Sequence, residues 1–84
     1  MMMTTTDILK AMVSEDGHIR VLRGPTDEYI SIYRADSIAM FAETISREIL
    51  DDLVNASFVK QDGPENEHKV TIFKLTNDGR ARGK

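Results

Sequence analysis

Apolar positions recur along this chain with two different periods, and the switches between them mark out its elements. From about Thr5 to Glu15, Ile8, Leu9, Met12 and Val13 follow the 3.6-residue period of a helix. A threonine suits its start, Asp7 suits the positive end of the helix dipole, and Gly17 is the expected C′ stop. The period then falls to two. His18-Ile19-Arg20-Val21-Leu22-Arg23 and Tyr29-Ile30-Ser31-Ile32-Tyr33-Arg34 flank a Gly24-Pro25 turn and predict a β-hairpin. Ile30 and Ile32 face the core in this reading, with Tyr29, Ser31 and Tyr33 on the other side.

Helical spacing returns twice more. A short apolar helix is expected from Asp36 or Ser37 to about Glu43, through Ile38, Met40 and Phe41. A third runs from Thr44 or Ser46 to Ser57, with Ile45, Ile49, Leu50, Leu53, Val54 and Phe58 on one stripe. The pattern does not separate two helices here from one bent helix. Phe58-Val59-Lys60 reads as a short strand, Gln61 to Glu67 as a turn-rich loop, and Val70 to Leu75 as the returning strand. Asn77-Asp78-Gly79 reads as a further turn. Residues 1–4 and 80–84 are expected to be disordered, the latter as a frayed tail.

The 84 residues make one α+β domain, residues 1–84, with room for one modest core. The absence of cysteine removes disulfides and thiolate metal sites, and its natural setting is a reducing, cytoplasmic one. No apolar run approaches the ~20 residues that cross a bilayer. His18 and His68 lie near strand ends without further metal-ligand spacing, which argues against zinc. No nucleophile elbow or glycine-rich phosphate loop is present, so the chain reads as non-enzymatic and free of cofactors.

Thr44-Ile45-Ser46-Arg47, Leu53-Val54-Asn55-Ala56-Ser57-Phe58-Val59 and Phe73-Lys74-Leu75-Thr76-Asn77-Asp78-Gly79-Arg80-Ala81 follow one another in an order that resembles winged-helix regulators of the MarR type. The first segment resembles the opening of the recognition helix, the second its passage into the wing, and the third the exit from the wing. The whole layout also resembles the small bacterial topoisomerase-I-inhibitor family, fainter in its residues and implying a protein target. The resemblance implies a winged helix-turn-helix-like fold: N-terminal helix, β-hairpin, two helices or one bent helix, and a C-terminal β-hairpin wing. Near the wing tip, where those regulators carry Asp-x-Arg, this chain has Asn66-Glu67-His68-Lys69.

Charge divides the functional expectations. The net charge is −3. In the winged-helix frame, DNA contacts would fall to Thr44, Ser46, Arg47, Lys60, His68, Lys69, Arg80 and Arg82. Yet Glu48, Asp51, Asp52 and Asn55 lie at helical spacing on the outward face of the third helix. Each carboxylate set against a phosphate costs roughly 1 kcal/mol at ~7 Å and an effective dielectric of about 40. Two expectations stand together: a small DNA-associated regulatory protein, with a homodimer as one arrangement, and a protein-interaction module, inhibitor or adaptor. The second presents Glu48, Asp51, Asp52 and Asn55 to a basic partner. Neither involves a membrane.

Overall fold

A computed structural model describes residues 4–36 and 45–84. Within them the order is α1 (Thr5–Glu15), β1 (His18–Arg23), β2 (Glu28–Tyr33), α2 (Arg47–Asn55), β3 (Val59–Gln61), β4 (Val70–Leu75) and α3 (Asn77–Arg82). The fold is α+β. One four-stranded antiparallel sheet has the order β2-β1-β4-β3. The helix expected over 36–43 lies outside the described residues, apart from Asp36.

Local chemistry accounts for the boundaries. Thr4 caps α1: its hydroxyl accepts from Asp7 N while the Asp7 carboxylate accepts from Thr4 N, a reciprocal capping box. Thr4 therefore belongs to the ordered structure. Asp16, rather than Gly17, takes the left-handed conformation that ends α1, with φ 51°. Aspartate tolerates that region because its short polar side chain can bond locally. The helix expected from Thr44 or Ser46 is α2. Ser46 is its N-cap, accepting from Ile49 N at 3.2 Å, and it ends at Asn55, before Ser57 turns the chain with φ 62°. The strand that follows begins at Val59, not Phe58.

The core is wholly apolar. Ile8, Leu9 and Met12 of α1 and Leu50 and Leu53 of α2 pack on Ile19, Val21, Ile30, Ile32, Val59, Phe73 and Leu75 of the sheet. No buried polar or charged residue occurs among the described residues. Each such side chain contributes about 1.5–3 kcal/mol on burial. Alternation puts His18, Arg20, Tyr29, Tyr33, Lys60 and Lys74 on the opposite face of the sheet, while Arg23, Glu28, Gln61 and Thr71 continue the core face at one end.

The largest departure from the sequence reading is at the C-terminus. Asn77–Arg82 forms α3, not a turn and a frayed tail. Thr76 is its N-cap, accepting from Gly79 N at 3.0 Å. Thr76 also donates from its backbone N–H to Phe58 O and from its hydroxyl to Ser57 O. Gly79 and Gly83, one helical turn apart, are both buried. The first lies against the Phe58 carbonyl and the second against the Leu9 carbonyl. A turn signal in the sequence is thus overridden by two close backbone contacts that only glycine permits.

Candidate interaction surfaces

The expected DNA-contact residues do not converge. Thr44 lies outside the described residues. Ser46 spends its hydroxyl oxygen on the α2 cap. Arg47 sits in the first turn of α2, with Nε 3.1 Å from Asp51 and Nη1 3.6 Å from Glu28 at the start of β2. Arg80 reaches back from α3 to Asp16 at 3.3 Å. Exposed pairs such as these contribute at most about 1 kcal/mol each. They nevertheless direct both guanidinium groups toward carboxylates of the same chain. Lys60, His68, Lys69 and Arg82 are exposed, and they belong to three different elements: β3, the β3–β4 loop and α3.

The β3–β4 loop is ordered by its own chemistry. The Asn66 side-chain oxygen accepts from both His68 N and Val70 N, and Lys69 adopts φ 61°. Arg23 of β1 holds the loop through Glu65 at 2.7 Å. Its tip therefore presents Glu67 and His68, 3.5 Å apart, rather than a cationic finger.

The expected protein-contact residues do share one surface. Leu50 and Leu53 turn inward, leaving Glu48, Asp51, Asp52 and Asn55 exposed on α2. Asp51 is engaged by Arg47. Glu48 and Asp52 make no ion pair among the described residues.

A second surface is assembled by strand pairing. On the sheet face opposite the core, Tyr33 is the register partner of His18, and Lys74 that of Lys60. Because Ile19 pairs with Phe73, Lys74 also falls beside His18. The Arg20 guanidinium lies 4.4 Å from the Tyr33 ring centroid, a cation–π contact. Arg20 Nε donates to His18 Nε2 at 2.8 Å, and the His18 ring stacks with Tyr33 at 6.0 Å. Next to this group is a cleft of about 440 Å³, with Asp16, His18, Arg20, Ile72, Lys74 and Arg80 among its walls. The sequence reading named Arg20, Tyr33 and His18 separately. It missed Lys74 as their neighbour, because that pairing joins distant parts of the chain.

Partial burial, followed by the charges of Arg20 and Lys74, lowers the His18 pKa; Asp16 opposes them. Nε2 of the neutral ring is then the acceptor that the Arg20 bond requires. An unfolded chain would hold the proton more tightly, near pH 6.5. Stability from this site is therefore complete above about pH 6.5, and is lost as the pH falls toward the lowered folded value. In urea denaturation, the stability difference between wild type and His18→Gln is expected to shrink between pH 7.5 and pH 5. Parallel pH profiles for the two proteins would refute this, since His68 is common to both.

Among the described residues, no helix is long and apolar enough to cross a membrane. Comparison with known proteins brings no relative to bear: the chain matches no family model, no curated protein and no solved structure.

Proposed function

We propose that this chain is a small, non-catalytic winged-helix module that works by protein contact, offering the outer face of α2 to a basic partner. One observation carries the reading. The helix that would enter a DNA groove presents Glu48, Asp51 and Asp52 outward, while its arginine, Arg47, is held by Asp51 and Glu28. Phosphates would meet carboxylates there, whereas a cationic peptide would meet complementary charge.

The experiment uses a fluorescein-labelled nona-arginine peptide and anisotropy at low salt. Wild type is expected to bind it, and Glu48→Lys with Asp52→Lys to weaken binding roughly tenfold or more. Glu15→Lys with Glu67→Lys makes the same change in net charge away from α2, and is expected to leave most of the affinity. Equal losses in the two double variants would reduce the binding to net charge and reject the α2 site.

A second reading, a DNA-associated regulator, is favoured by topology. A helix leading into the β3–β4 hairpin, with β4 paired to β1, is similar to the expected winged-helix order and supports this reading. It predicts duplex binding that falls steeply with salt and is weakened by Arg47→Glu.

A further inference from the structure

We infer that the outer face of the sheet is a binding surface for single-stranded nucleic acid, with backbone phosphates at its cationic end and bases on its exposed tyrosine. Three features lead there, independently of the α2 reading.

The first is charge. Lys60 and Lys74 are direct cross-strand partners on this face. Like charges in that position oppose folding. Asp62 lies 2.9 Å from Lys74, but Lys60 makes no ion pair among the described residues. The adjoining cleft has Arg20, Lys74 and Arg80 in its walls against Asp16. The His18 pKa is lowered first by partial burial and then by the charges of Arg20 and Lys74, against Asp16.

The second is aromatic surface. Tyr29 and Tyr33 lie four residues apart on β2, about 13 Å along the strand, and alternation places them on the same face. Tyr33 is already engaged by Arg20 and His18. Tyr29 is 53% exposed, and its cross-strand partner Leu22 is 45% exposed. With Tyr29 at one end of the strand and the cations around Tyr33 and Lys74 at the other, the face suits a base at one end and backbone phosphates at the other, because stacking needs no particular base and cations follow the backbone.

The third is segregation. The acids of α2 are exposed on a helix that packs against the other face of the sheet. A strand lying on the outer face thus has the sheet between itself and Glu48, Asp51 and Asp52. A rigid duplex cannot splay its bases onto Tyr29, so the surface discriminates in favour of single strands.

The test is anisotropy of fluorescein-labelled oligo-dT of twelve nucleotides, alongside a labelled duplex of the same length, using the full chain. The single strand is expected to bind at micromolar concentration, more tightly than the duplex, and more weakly as salt rises. Tyr29→Ala should lower its affinity at least about fivefold at constant salt slope. Lys60→Glu should lower both affinity and slope, whereas Lys10→Glu, the same charge change on α1, should have a much smaller effect. Both binding variants alter exposed residues, and circular dichroism verifies that they fold. Absence of binding at low salt overturns the inference. So does duplex binding of equal strength, or indifference to Tyr29→Ala and Lys60→Glu. Because none of these variants touches the α2 face, failure here leaves the nona-arginine result to stand or fall by itself.

Discussion

Gly79→Ala is expected to destabilise the protein by at least about 3 kcal/mol, although glycine to alanine inside a helix ordinarily stabilises by about 1 kcal/mol. The reversal of sign comes from where α3 rests. A Cβ built on Gly79 would lie 2.0 Å from the Phe58 carbonyl oxygen and 2.9 Å from its carbon. Both are backbone atoms in the passage from α2 to β3, and neither can rotate away. The same oxygen accepts from Thr76 N at 3.0 Å, so moving α3 outward also breaks the bond that anchors its first turn. Gly63→Ala supplies the comparison. Its φ of +82° makes a side chain strained, but nothing lies within 4 Å, so about 1–2 kcal/mol is expected. Urea denaturation of the three proteins decides the matter. A Gly79→Ala protein as stable as wild type would mean that α3 does not dock on Phe58.

The second large effect is expected at Leu53. Its side chain is fully buried between α2 and the sheet. Truncation to alanine removes its transfer free energy and leaves a cavity that the surrounding strands only partly close, at a cost of about 2–5 kcal/mol. The next residue, Val54, is 38% exposed. Val54→Ala should cost no more than about 0.5 kcal/mol. The contrast between neighbours tests the orientation of α2, on which the exposure of Glu48, Asp51 and Asp52 depends. Similar losses at both positions would mean that α2 is rotated from the orientation described, and the acidic surface would have to be redrawn.

Short-range patterns made most of the elements legible. Ile8, Leu9 and Met12 repeat as a helix must, and Ile30 and Ile32 alternate as a half-buried strand must; all five are buried. The acidic face of α2 could be read in the same way, since one helical period places Glu48, Asp51 and Asp52 together. The C-terminal helix could not. Asn77-Asp78-Gly79 carries a strong local turn preference, and what overrides it is the fit of Gly79 and Gly83 against the backbone of two other elements. The cationic row on the sheet was hidden for a related reason. Hydrophobic alternation assigns Lys60 and Lys74 to faces, but only the pairing of β1 with β4 brings Lys74 to His18. Helical spacing could pair Arg47 with Asp51, four residues on, but offered no sign of its contact with Glu28 at the start of β2.

The place of β1 in the sheet has a kinetic consequence. One of its neighbours, β2, follows it at once in sequence, while the other, β4, comes from the opposite end of the described chain. During synthesis the β1–β2 hairpin can form early, but Ile19 and Val21 keep one open edge until β4 has been made. Closing that long loop is an entropic step which local contacts cannot replace. Folding should therefore be slower than in a helical bundle of the same length, and no N-terminal half should persist alone as a stable unit. Until β4 arrives, the free edge of β1 is also where an unfinished chain is most open to pairing with another.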